Sequence, residues 1–179
     1  MDLDVIVYLV IGLVILIGLI VGIILLNRYK NNKKKNDIIS VFNEACKLHN
    51  ITDYKIEYVK NDAYDFYYED SKNIYYIKVV NNPMNKEICI NNAIKWQLRT
   101  HGAVDEMNFV EGIDGLMRMD LKKNEKAQYK LYIVYPTARA LLKVINECEM
   151  IFIYPDTDVY GTKVITYVTL KEKPELIEL

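Results

Sequence analysis

The sequence predicts an α+β domain carried behind a transmembrane helix, and three observations lead there. Val5 to Leu26 is an uninterrupted uncharged run of Ile, Leu, Val and Gly, with Tyr8 its only polar-tipped side chain. A basic cluster, Arg28, Lys30, Lys33, Lys34 and Lys35, follows at once. From Asp37 onward, segments of helical and of strand-like hydrophobic period alternate, in a stretch long enough for one domain with a real core. The expected order is α-βββ-α-β-α-β-β, a mixed sheet flanked by helices.

A helix of about 20 apolar residues spans the roughly 30 Å hydrocarbon core. A cleaved secretory signal would carry a positive start and a small-x-small cleavage site. This chain instead begins Met1-Asp2-Leu3-Asp4, and Leu25-Leu26-Asn27 offers no such site. An uncleaved single-pass anchor in the cell membrane is therefore expected. The basic side of a span stays cytoplasmic, so residues 1–4 are expected outside, 5–26 in the bilayer, and 27–36 as a basic linker. Residues 37–179 then form the cytoplasmic domain. The basic cluster also suits anionic lipid head groups, at about 1 kcal/mol per residue near the surface. Gly18 and Gly22, with Gly12 roughly in line, form a small-xxx-small face of the kind through which spanning helices form homodimers.

Within the domain, Ile38, Ile39, Phe42, Ala45, Cys46 and Leu48 recur at helical spacing behind Asp37 as an N-cap. Three strands are expected over Tyr54 to Val59, Tyr64 to Tyr68 and Ile74 to Val80, as an antiparallel meander broken by polar turns. A helix is expected from Asn85 or Lys86 to Arg99, with Ile88, Ile90, Ile94 and Leu98 toward a core. Residues 103–128 show no firm period. Leu131 to Tyr135 reads as a buried strand closed by Pro136, and Thr137 as the cap of a helix through Glu147. Met150 to Tyr154 and Lys163 to Leu170 read as the last strands.

Beyond residue 36 the chain carries 18 Lys and Arg against 22 Asp and Glu, a net charge of −4. That balance disfavours a generic electrostatic nucleic-acid binder. Cys46, Cys89 and Cys148 lack paired spacing and read as thiols in a reducing compartment. His49 and His101 assemble no zinc set, and Ser40 and Thr137 no nucleophile triad. Asp156, Asp158 and Gly161 read as a turn, lacking the spacing and terminal Glu of a calcium loop, and Trp96 as core. Richness in Tyr, Lys, Asn and Ile resembles a bacterial protein from an A+T-rich genome.

One constellation has chemistry. Asp65 falls on the second expected strand and Lys78 near the end of the third. With the element order, these residues resemble the restriction-endonuclease-like fold of the PD-(D/E)XK superfamily, which includes nuclease-related domains on membrane anchors. The resemblance covers most of Asp37 to Leu170. It implies an acidic residue on the second strand and acidic-x-Lys on the third, holding Mg²⁺ against phosphate while the lysine orients or activates water. Asp65 and Lys78 match as catalytic residues, with Asp65 as metal ligand. Tyr76 stands where the family has its second carboxylate, for which Glu57 or Glu87 would have to substitute. Gln97 echoes an accessory polar residue of some members. Fold likeness does not confer function. The expected function is a non-catalytic binding or structural module at the inner membrane surface, without cofactor and with an unknown protein partner. The alternative is a membrane-tethered nuclease-like domain that cleaves or binds nucleic acid.

Overall fold

The computed structural model describes residues 3–59, 63–100, 108–147 and 149–177, with side chains from residue 11 on. Contacts divide the chain into two units, Met1–Asp37 and Ile38–Leu179. Helix α1 is assigned over Leu3–Leu48. In the first unit its most apolar eighteen-residue window has a mean hydropathy of 2.5, and none of it is buried. The helix is long and apolar enough to cross a membrane. A Cβ added at Gly12, Gly18 or Gly22 would meet nothing within 4 Å. The basic stretch 27–36 is helical, and Asp37 lies inside α1 and does not cap it. At about 100° per residue, its five cations surround the helix axis instead of lining one stripe.

The second unit is built on β3 (Asn73–Asn81) and β6 (Ala127–Tyr135), parallel and in register from Asn73↔Ala127 to Asn81↔Tyr135. Ile77 and Val79 on one face of β3 and Val80 on the other, with Leu131 and Ile133 on one face of β6 and Tyr132 and Val134 on the other, are buried, as covered parallel strands require. β1 (Lys55–Tyr58) and β2 (Phe66–Glu69) precede β3 as the expected antiparallel meander, and β9 (Lys163–Thr166) adds parallel to β6. The first sheet thus runs β1-β2-β3-β6-β9. A second sheet runs β5-β4-β7-β8, from β4 (Glu87–Asn92), β5 (Lys95–Arg99), β7 (Leu141–Asn146) and β8 (Glu149–Phe152).

Three layers result. On one face of the first sheet, Ile38, Val41, Phe42, Ala45 and Cys46 of α1 pack against Phe66, Tyr68, Tyr75, Ile77, Leu131 and Ile133. On the other face, Val80, Tyr132, Val134 and Val164 meet Ile88, Ile90, Trp96 and Leu141 of the second sheet. The mixed α+β class holds, but two of the expected helices are strands. Ile88 and Ile90 lie two apart, about 200° around a helix yet on one side of a strand, and Trp96 and Leu98 repeat that spacing. The hairpin turns at Ala93-Ile94, where Asn92 Oδ1 accepts the Ile94 amide at 3.1 Å. The stretch expected as a helix behind Thr137 gives β7 instead, its Leu and Ala content overridden by parallel pairing with β4. The last expected strand stops at Thr166, whose Oγ1 accepts the Thr169 amide and caps α3 (Tyr167–Glu172). Within the region of no firm period, α2 spans Asp114–Arg118. Residues 101–107, with His101, and Cys148 lie outside the described residues.

Both long strands lead through short connections into strands of the second sheet, and Asn82 sits at the joint after β3. It is 2% exposed. Its Nδ2 donates to the carbonyls of Lys86 (2.8 Å) and Thr137 (3.0 Å), and its Oδ1 accepts from the Lys86 amide (3.1 Å). Its own amide donates to the Tyr135 carbonyl at 2.7 Å. Removing the side chain strands buried backbone groups on two crossovers at once. Asn82→Ala is expected to cost about 3 kcal/mol, read as a lower urea midpoint by the fluorescence of the single tryptophan. Asn82→Asp should cost more, because a carboxylate cannot donate to the two carbonyls.

Candidate functional site

Asp65 and Lys78 come together. Asp65 immediately precedes β2, and its amide donates to the Ile77 carbonyl at 2.8 Å, which extends the ladder and sets it opposite Lys78. Its Oδ2 accepts the Val79 amide at 2.8 Å, and its Oδ1 lies 3.6 Å from Lys78 Nζ. The pair is half-buried, with 26% and 14% of the respective side chains exposed. A Cβ at Gly112, where φ is +71°, would stand 3.7 Å from Lys78 Cε. The loop therefore passes close beside the lysine.

The surroundings are aromatic. Tyr76 lies on the same face as Lys78, two residues earlier. Its ring packs edge-on against Tyr64 at 5.2 Å and Tyr67 at 5.7 Å. Burial pushes the Tyr76 phenol up, so it stays neutral and supplies no anionic oxygen where the resemblance implies a carboxylate. Tyr67 donates to Glu69 Oε2 at 2.7 Å, and Lys126 Nζ lies 2.6 Å from Glu69 Oε1. These two bonds hold the Glu69 carboxyl below its ordinary range. On β6, Lys130 donates to the Met117 carbonyl at 2.9 Å, and burial lowers its pKa.

Each of the two substitute carboxylates pairs with a different cation. Glu57 on β1 is in register with Tyr67 and pairs with Lys55 at 3.0 Å. Glu87 opens β4 in the second sheet, with Oε1 3.8 Å from Arg139 Nε. Among the described residues no group of three or more His, Cys, Asp and Glu side chains gathers as a metal set. The two oxygens of Asp65 are engaged by the Val79 amide and the Lys78 ammonium. Gln97 lies on β5 and bridges to Phe109, and Trp96 is fully buried beside Tyr132.

Sequence reasoning read residues 69–73 as a plain turn and missed Asp70, which is 3% exposed. Its Oδ1 accepts the amides of Lys72 (2.6 Å) and Asn73 (2.8 Å), and its Oδ2 accepts the Tyr68 hydroxyl (2.8 Å), itself 3.4 Å from Cys46 Sγ. Burial alone would raise the Asp70 pKa, but the two amides and the hydroxyl outweigh it and hold the carboxyl low. The signal was an Asp one residue past a strand end with a free amide two residues on, the pattern of an Asx turn.

Comparison with protein-family models, curated proteins and solved structures finds no match for the chain.

A carboxyl held low in the fold adds stability that is full above its unfolded pKa of about 3.9 and fades as pH falls through the folded value. Asp70→Asn is therefore expected to lower stability by about 1–2 kcal/mol at pH 7. The gap to the parent protein should close below about pH 4, and urea midpoints measured across pH 2.5–7 would show it.

Proposed function

We propose that the chain is a single-pass membrane protein whose α+β domain is a non-catalytic binding or structural module at the inner membrane surface. The observation that carries this reading is the apolar helix of the first unit, long enough to cross a membrane and unburied over its most apolar window, followed directly by five cations. In this reading the N-terminus faces outward and the basic cluster sits at the cytoplasmic head groups, its long side chains reaching the interface all round the helix. Anionic lipids add to that attachment, and Gly18 with Gly22 offers a face for a parallel homodimer. The domain meets an unidentified partner from that position. The saturated Asp65 carboxylate and neutral Tyr76 support binding over catalysis.

A second reading is favoured by one observation, the juxtaposition of Asp65 and Lys78 on one face of adjoining strands. A meander leading to a parallel fourth strand also supports likeness to the restriction-endonuclease-like sheet, with a β-hairpin where that resemblance led to a helix. In this reading the domain is a degenerate or Mg²⁺-dependent nuclease acting on or holding nucleic acid.

Two measurements separate and test these readings. Ile17→Lys places a charge at mid-span, at a cost of about 2.5–3.5 kcal/mol, and should shift the protein from the carbonate-resistant membrane pellet into the soluble fraction. Retention in the pellet would sink the anchor. For catalysis, the full chain in nanodiscs is incubated with DNA and RNA in Mg²⁺ or Mn²⁺. The expected result is the same background cleavage from the parent and from Asp65→Asn, whereas cleavage lost in both Asp65→Asn and Lys78→Met would make the nuclease reading the correct one.

A further inference from the structure

The second sheet ends in β8, whose residues are Glu149, Met150, Ile151 and Phe152. Among the described residues β8 pairs with β7 alone, so its other side is a sheet edge. The Ile153 amide donates to the Leu141 carbonyl at 2.9 Å, which makes that pair, and Ile151 with Lys143, the hydrogen-bonded pairs of the ladder. The amides and carbonyls of Met150 and Phe152 therefore point the other way, to the open side of the strand. Natural edges are commonly blunted by proline, an inward charge or a covering element. β8 has no proline, and its one charged residue, Glu149, stands at its start, where it accepts from Asn146 Nδ2 at 3.2 Å.

Apolar side chains crowd the same edge. Met150 is 48% exposed and Phe152 60%, on one face of the strand, and Ile151 is 38% exposed on the other. Ile145 on β7 and Tyr154 just past β8 are exposed too. Five side chains of this size, open to that degree, present roughly 500 Å² per chain, the scale of patch that marks an interaction surface. Two such patches give about 1,000 Å², the lower bound of a specific interface.

That area selects the occupant. An extended segment of another protein would bond only Met150 and Phe152 and would have to offset the full association cost, about 4–15 kcal/mol. A second copy anchored in the same bilayer meets the edge at a raised effective concentration and has far less to offset. The strand is also complementary to itself. In an antiparallel pair centred on Ile151, Met150 of each copy faces Phe152 of the other and exchanges both hydrogen bonds, while the two Ile151 residues meet on the axis. Glu149 then faces Ile153, so no like charges oppose. We propose that β8 pairs antiparallel with β8 of a second copy, joining the two second sheets into one continuous sheet. This names the partner left unidentified in the binding-module reading, and rests on that reading for the shared bilayer.

The test uses the full chain in phosphatidylcholine liposomes, with Cys148→Ser as background; Cys46 and Cys89 are buried. Ile151→Cys sets two thiols opposite each other in a non-hydrogen-bonded pair, about 4.5 Å apart at Cα and within disulfide range. Mild oxidation should crosslink this variant to a dimer about fivefold or more above Phe152→Cys, whose opposite residue is Met150. Met150→Glu with Phe152→Glu sets carboxylates against each other and should cut the Ile151→Cys crosslink about tenfold, whereas Met150→Glu with Phe152→Lys should restore it. Circular dichroism should be unchanged throughout, and Gly18→Leu with Gly22→Leu should keep the preference for position 151. Failure of the anchor appears as protein outside the liposome pellet, whereas failure of the pairing appears in either fraction as loss of that preference. Equal crosslinking at 151 and 152, or a crosslink indifferent to the charges at 150 and 152, overturns the proposal.

Discussion

The parallel pairing of β3 with β6 is the constraint from which the rest of the domain follows. Parallel neighbours cannot be joined by a tight turn, so the chain must leave the end of β3 and travel before β6 begins. Here the excursion is productive, because it lays down the β4–β5 hairpin and α2 over one face of the same sheet. Past Asn81 and Tyr135 the two strands remain neighbours and pair again as β4 and β7, so one parallel ribbon seeds both sheets. The break between its halves exposes backbone donors and acceptors inside the protein, and Asn82 answers them with both ends of one amide. An apolar side chain of similar size would fill the space and leave those groups unpaired.

Legibility followed the competition between local period and long-range pairing. The meander from Tyr54 to Val80 was readable because its polar turns are short and its aromatic and β-branched residues have one comfortable home. The apolar helix was readable from composition alone. The β4–β5 hairpin was misread because Ile88, Ile90, Ile94 and Leu98 satisfy a loose helical count, although the pair Ile88 and Ile90 favours a strand. At β7, local propensity pointed to a helix, and only the waiting edge of β4 made it a strand. No residue within Thr137 to Glu147 announces that partner. Of the candidate site, the proximity of Asp65 and Lys78 was legible because strand register follows from the turn between them. The placement of Glu87 in the second sheet was not, since it depends on which sheet its strand joins.

The faces of the first sheet differ in what they leave open. One is closed by the Ile38–Leu48 part of α1, where Cys46, Tyr68 and Asp70 form a hydrogen-bonded chain inside an apolar layer. The other is shared between the second sheet and a band of Tyr64, Tyr67 and Tyr76 with the charged groups Asp65, Lys78, Glu69 and Lys126. Asp65 pairs there with Lys78, and Glu69 with Lys126.

That pairing bears on what Asp65 is able to do. To ligate a divalent cation its carboxylate would have to turn from the Val79 amide and from Lys78. Leaving a largely buried amide unsatisfied costs about 1–3 kcal/mol, before any repulsion between the metal and the ammonium is counted. A second carboxylate would offset this by drawing both cation and lysine toward itself, and the family pattern supplies one two residues before the lysine. Here that position is Tyr76, wedged between two other tyrosines and held neutral by burial. The two residues that carry the resemblance and the tyrosine that departs from it thus work, in this chain, as a strand clasp: Asp65 caps the Val79 amide, Lys78 neutralises Asp65, and Tyr76 packs the face.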